Sequence, residues 1–235
     1  LAGVLRRQFK NNKKVKIINE DALFIDMSVI LRYSEGSRDS SADTPQNDRK
    51  LNFKVVANIP YYITGKLLQN FLTSELKPSL MVLLLQKEVA ERIVAKAGDM
   101  SLLSVSVQFY ADPEIVGYVA RENFYPKPEV DSAIVRLRVL EKPRIDIPEH
   151  DFFRLVKIGF SNKRKQLQNN LRALPSLRGG SPTKQSNGIA TASTPRDDRS
   201  VDYKQILEKI GLNPLVRAQD LTLEDWGRLY QKLRR

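Results

Sequence analysis

The chain has 235 residues, 41% of them hydrophobic, no cysteine, one histidine and a formal net charge of +12 at pH 7. That is enough for one large domain or two small ones, and the lack of cysteine excludes disulfides and thiolate metal sites. No apolar run is long enough to span a bilayer, no acidic cluster has metal-binding spacing, and Leu1 to Arg7 carries no secretory signal, so a cytoplasmic protein without a metal is expected.

In chain order, the pattern predicts a helix end over 1–9 and a short strand over 15–18, with Asp21-Ala22-Leu23 at its carboxyl end. Residues 34–50 are polar and read as a flexible surface loop. A strand over 53–57 stops at Asn58-Ile59-Pro60-Tyr61 and turns into a helix from about 63 to 72. A strand over 80–86 leads into a helix over 87–96, and 101–110 reads as helical. Strands follow at 114–120 and 132–139, the second alternating as Ala133-Ile134-Val135-Arg136-Leu137-Arg138. Strand–helix alternation closed by a late strand pair predicts an α/β sheet with an antiparallel edge.

Composition changes near Glu141-Lys142-Pro143, and beyond Pro148 the pattern is wholly helical, over 151–160, 163–174, 203–210 and 223–233. His150, in Pro148-Glu149-His150-Asp151, belongs to a helix start. Residues 176–200 form a Gly, Ser, Thr and Pro insert expected to be disordered, and Thr222-x-x-Asp225 is an acidic capping box. The chain therefore divides into an α/β domain, 1–147, and a small all-α domain, 148–235. In the first, 22 Lys and Arg face 18 Asp and Glu; in the second, 17 face 9. Most of the positive excess sits in the helical part, which points to a polyanion there, most simply nucleic acid.

Four places carry chemistry. Asn58-Ile59-Pro60-Tyr61 puts an amide, a carbonyl and an aromatic ring at the carboxyl end of a strand, where open α/β sheets bind ligands. Asn Oδ1 and the carbonyl beside the proline suit the two hydrogens of a planar amino group, and the tyrosine ring stacks on its heterocycle. A plain strand-ending turn has the same sequence pattern. Asp21 stands where doubly wound folds meet an adenine or ribose, though a helix-capping carboxylate fits equally. Phe124-Tyr125-Pro126-Lys127-Pro128 stiffens a loop that delivers an aromatic just before a strand, a stacking platform or a hydrophobic plug. Lys157, Lys163, Arg164, Lys165 and Arg172 place cations along a helix whose apolar stripe is Leu167, Leu171 and Leu174.

Together Asp21-Ala22-Leu23, Asn58-Ile59-Pro60-Tyr61, Leu85-Gln86-Lys87-Glu88-Val89, Phe124-x-Pro-x-Pro-x-Val-Asp-Ser-Ala, Phe160-x-Asn162-Lys163-Arg164-Lys165 with Asn170-Leu171, and Leu212-Asn-Pro-x-x-Arg217-Ala-x-Asp-Leu221 resemble the bacterial small-subunit rRNA adenine dimethyltransferases, the KsgA/RsmA family. The resemblance runs over nearly the whole chain, with the motifs in order. It implies a Rossmann-like class I methyltransferase sheet and dimethylation of N6 on two adjacent adenosines near the 3′ end of 16S rRNA, late in small-subunit assembly. S-adenosyl-L-methionine would be the cofactor, the immature 30S subunit the partner, and the protein a monomer. Carried over, Asn58, Pro60 and Tyr61 are catalytic, with Tyr61 and Phe124 stacking on the base. Asp21, Ala22 and Asn58 line the cofactor, and Lys157, Lys163, Arg164, Lys165 and Arg172 bind RNA.

The family's glycine-rich cofactor loop and the acidic residue after its second strand are absent here, so the chain reads as N-terminally incomplete, with two strands missing between those at 15–18 and 53–57. Other readings are a large-subunit rRNA adenine methyltransferase of the macrolide-resistance type, a non-catalytic RNA-binding assembly factor, and a small-molecule methyltransferase. The basic helical part and the intact Asn58, Tyr61 and Phe124 set favour the small-subunit enzyme.

Overall fold

Four stretches rich in β-branched and leucine residues pair into one mixed sheet. In the computed structural model, which describes residues 2–24, 53–174 and 201–234, these are β1 (Lys54–Asn58), β2 (Leu80–Gln86), β3 (Ala111–Val119) and β4 (Ser132–Val139), in the order β1-β2-β4-β3. β1 and β2 run parallel, joined through helix α2 (Thr64–Thr73), because parallel neighbours need a crossover. β4 is antiparallel to both β2 and β3, which makes the predicted antiparallel edge. Residues 34–50 and 176–200 lie outside the described residues.

The strand period of two sorts the faces. Met81, Leu83 and Leu85 of β2 stand beside Leu137, Val135 and Ala133 of β4, all with no exposed surface. Onto that side pack α3 (Lys87–Ile93), which touches β2, β3 and β4, and α4 (Leu102–Gln108), which touches β3 and α2. The other face is more open: Val82, Leu84 and Ile134 are half-buried, and Val56 of β1 is 81% exposed. α4 starts at a reciprocal cap, Ser101 Oγ accepting from the Ser104 N–H and Ser104 Oγ from the Ser101 N–H.

After β4 the regular elements among the described residues are α-helices α5 (Glu149–Gly159), α6 (Leu167–Leu171), α7 (Tyr203–Lys209) and α8 (Leu223–Arg234), with one short 3-10 turn at Ala218–Asp220. α5 buries Phe152, Leu155, Val156 and Gly159, one stripe at helical spacing. Gly159 meets the Trp226 ring of α8; a Cβ there would lie 2.3 Å from the indole. Phe109, at the end of α4, stacks on Phe152 with centroids 4.7 Å apart, and Tyr110 Oη donates to Glu149 Oε2 at 2.7 Å. The sheet side and the helices thus share one continuous core.

Two sequence expectations need correction. Residues 15–18 form no strand, although the first helix, α1 (Ala2–Gln8), lies where predicted. β-propensity makes a strand only where a neighbour pairs with it, and β1 has β2 as its one partner among the described residues. Nor is there a helix over 163–174; α6 covers only Leu167–Leu171. The preceding run Ser161 to Gln166 is all polar and has nothing to bury, so Lys163, Arg164 and Lys165 stand on a turn instead of a helix face.

Candidate active site

The site is assembled at one edge of the sheet. Asn58 ends β1 opposite Leu84, Gln86 ends β2 opposite Ser132, and Ser132 opens β4 opposite Val119, the end of β3. The segment joining β3 to β4, which carries Phe124, therefore begins and ends at the carboxyl edge that presents Asn58. Asn58 is exposed, Ile59 plugs the core at 2% exposure, and Pro60 turns the chain outward. The Pro60 carbonyl accepts from the Ile63 N–H at 3.1 Å, closing a 3-10 turn over Tyr61–Ile63 and leaving that oxygen one further lone pair. Tyr61 is half-buried, and its hydroxyl lies 3.0 Å from Ser132 Oγ.

The Phe124 loop is closed at its neck. The Arg121 N–H donates to Asp131 Oδ1 at 3.1 Å, Arg121 Nη1 donates to the Glu129 carbonyl at 3.1 Å, and the Asp131 carbonyl accepts from the Lys87 N–H at 2.9 Å. Lys127 Nζ reaches Glu122 Oε1 at 2.8 Å across the loop, and that hydrogen bond is the main reason the Glu122 carboxyl is held at about 2. Phe124 itself is half-buried and Tyr125 fully exposed. Lys87 stands 5.5 Å over the Tyr118 ring, another aromatic at this edge.

Asp21 and Ala22 are exposed and anchored elsewhere. Asp21 Oδ1 accepts from the Leu23 N–H at 2.9 Å in a local turn, and the Leu23 carbonyl accepts from Asn70 Nδ2 at 3.0 Å. Asn70 lies about 9 Å of helix down α2 from its first residue. No hydrogen bond among the described residues joins Asp21 or Ala22 to the Asn58 corner.

The cations also divide. Lys163 shares a small notch with Arg92, Phe160 and Gln219, whereas Lys157 lines a separate cleft between α2, α4 and α5. Lys163, Arg164, Lys165 and Arg172 are all exposed. Their turn is gripped from below by Asn170, whose Nδ2 donates to the carbonyls of Gly159 at 2.6 Å and Asn162 at 3.1 Å. Sequence reasoning assigned no role to Ser132 or Asn170. Both stand within the motifs that carry the resemblance, but their partners, Tyr61 and the carbonyls of Gly159 and Asn162, come only from the fold.

A family profile described as Ribosomal RNA adenine dimethylase matches residues 1–211. The chain is 36% identical over 230 residues to the Ribosomal RNA small subunit methyltransferase A of Dehalococcoides mccartyi, covering 97% of this chain and 66% of that protein. It is 42% identical over 186 residues to the protein of the same name from Nostoc sp., covering 75% and 59%. It thus spans about two thirds or less of the length of these relatives. A dimethyladenosine transferase from Plasmodium falciparum has a similar structure, with TM-score 0.66 and 22% identity over 96% of this chain and 74% of that one. The 23S rRNA methyltransferase ErmE is similar at TM-score 0.62 and 22% identity, covering 99% and 77%; at such identities the likeness concerns the fold.

Proposed function

The chain belongs to the ribosomal RNA adenine dimethylase family, and on that premise we propose that it is the part of an rRNA (adenine-N6,N6) dimethyltransferase that holds the target base. The substrate in this reading is a pair of adjacent adenosines near the 3′ end of 16S rRNA in the immature small subunit, met by a monomer in the cytoplasm. Residues 1–147 carry the transfer and 148–235 the docking on RNA. The observation that carries the proposal is the edge geometry: Asn58 ends β1, Pro60 and Tyr61 follow it, and the Phe124 loop is tied to the same edge.

Adenine N6 is a poor nucleophile because its lone pair delocalises into the ring. Asn58 Oδ1 and a carbonyl of the Ile59-Pro60 turn accept its two hydrogens, favour a pyramidal nitrogen and aim the lone pair. Tyr61 and Phe124 stack on the two faces of the extruded base, offsetting part of a flipping cost of a few kcal/mol. Catalysis is then positioning and electrostatics, and needs no general base, since the methylated nitrogen sheds its proton readily.

S-adenosyl-L-methionine, when bound, supplies an electrophilic methyl group. The residues present fit it in part. Asn58 is exposed at the strand end, and Asp21 keeps a carboxylate oxygen for an amine or hydroxyl of the adenosine half. No glycine-rich strand-to-helix turn that could cradle the methionine half occurs among the described residues.

The test is transfer of labelled methyl groups to small subunits lacking the dimethyl mark, with the chain in its complete natural polypeptide. Asn58→Ala should lower kcat by roughly 10²–10³-fold, the cost of losing one preorganised polar contact. Undiminished transfer by Asn58→Ala would sink the assignment. Tight subunit binding without transfer by the unaltered protein would favour an assembly factor.

A further inference from the structure

The hydroxyl of Ser132 is buried at the sheet edge with no surface exposed, between Gln86 and Val119 across the ladder. A serine at such a position carries a desolvation cost that its neighbour in the chain, Ala133, avoids. Its Oγ lies 3.0 Å from the Tyr61 hydroxyl, across 71 positions of sequence. The residue before it, Asp131, is the neck of the Phe124 loop, held through its carboxylate by the Arg121 N–H and through its carbonyl by the Lys87 N–H. One buried hydroxyl therefore links the tip of one aromatic ring to the root of the loop that carries the other.

We propose that Ser132 is a positioning residue, whose hydrogen bond to Tyr61 fixes where the outer end of that ring lies and couples it to the Phe124 loop, so that the two rings present one preset slot to the target adenine. This rests on the dimethylase reading. A tyrosine ring anchored only at Cβ swings about its first side-chain torsion, and a bond at the hydroxyl, on the ring's long axis, stops that swing. Tyr125, fully exposed in the same loop, has no such anchor among the described residues and is left free to move. The hydroxyl pair takes no part in bond making. It acts on the rate through ring orientation, where a small misplacement is costly.

The experiment compares Ser132→Ala, Tyr61→Phe and the double variant in the complete polypeptide. Its readouts are single-turnover methyl transfer, KM for RNA, thermal melting, and 19F NMR of 3-fluorotyrosine placed at position 61. Tyr61→Phe keeps the ring and alters a half-buried group, so it tests the bond even if Ser132→Ala folds poorly. Each single variant should lower the transfer rate by roughly tenfold with KM for RNA little changed, and the double variant should be no slower than either, because all three remove the same bond. The 19F signal should shift or broaden in Ser132→Ala. A purely structural bond predicts a lower melting temperature with an unchanged transfer rate, and that result overturns the proposal, as do single effects that multiply in the double variant. If the unaltered protein transfers no methyl group, the dimethylase reading fails by itself. The 19F comparison then decides the ring coupling alone, an unchanged signal overturning it.

Discussion

Asn170 is 3% exposed, yet its amide serves an exposed cationic turn. Both of its donated bonds go to carbonyls flanking that turn, those of Gly159 and Asn162, while its Oδ1 is buried with no hydrogen-bond partner among the described residues. Buried amides left partly unsatisfied are kept where the bonds they do make matter. Asn170→Ala should therefore lower stability by about 1–3 kcal/mol in denaturant unfolding, since two carbonyls lose their donor inside the fold. It should also weaken RNA binding, by releasing Lys163, Arg164 and Lys165 from a common orientation. Unchanged unfolding would show that water replaces the amide at no cost. At this scale the sequence was legible where a residue's chemistry is local. The Asn58-Ile59-Pro60-Tyr61 turn states its own geometry, because the proline stops the strand and the asparagine is left facing out. The Tyr61–Ser132 bond was not legible, since it joins residues of no sequence proximity and depends on strand order.

Thr222 and Asp225 show the same contrast at the scale of an element. The pair reads from sequence as a helix start, and α8 begins there: the Thr222 N–H and hydroxyl both donate to Asp225 Oδ2 at 2.9 Å, and the Asp225 N–H donates to Thr222 Oγ1 at 3.1 Å. Burial pushes the Asp225 carboxyl up, but the Thr222 N–H, the Arg228 guanidinium and the Thr222 hydroxyl outweigh it, and the net shift is downward from the usual 3.8. A carboxyl whose folded pKa is depressed stabilises the fold at pH values above its unfolded pKa. That contribution is lost as pH falls through the folded value. The unfolding free energies of the unaltered protein and Asp225→Asn should thus differ by about 1 kcal/mol at neutral pH and converge as pH drops below about 4. A difference independent of pH would place the effect in packing instead. Capping is legible because it spans four residues; the strand expected over 15–18 was not, because a strand is a property of two segments. Val15, Ile17 and Ile18 have the β-branched character of a strand, but among the described residues β1 pairs with β2 alone, and Val15 and Ile18 remain exposed.

Across the whole molecule, the uneven charge becomes a geometric argument once the clasp between the two parts is considered. The loop after α3 turns at Gly98, whose φ of 105° few other residues adopt. The N–H groups of Gly98 and Met100 both donate to the Gln219 carbonyl, at 2.9 and 3.1 Å, and Gln219 Nε2 donates back to the Gly98 carbonyl at 2.9 Å. α3 begins directly after Gln86, at the edge that presents Asn58, so this clasp relates that edge to the notch that Lys163 and Arg92 both line. In the proposed function the cationic turn sets where the RNA lies and the edge acts on one base. Its signature is electrostatic. Each phosphate neutralised by a cation adds about 0.7–0.9 to the slope of log affinity against log salt concentration. Replacing Lys163, Arg164 and Lys165 together by alanine should reduce that slope by about 2–3 and raise KM for the small subunit, with kcat at saturating subunit nearly intact. A fall in kcat with the salt slope unchanged would mean that the turn contacts the reacting base instead of the backbone. Gln219→Ala should separate the two effects. All cations remain, so the slope persists, while the site's hold on the target loosens and kcat falls. The pair of variants therefore distinguishes charge that binds RNA from geometry that delivers it.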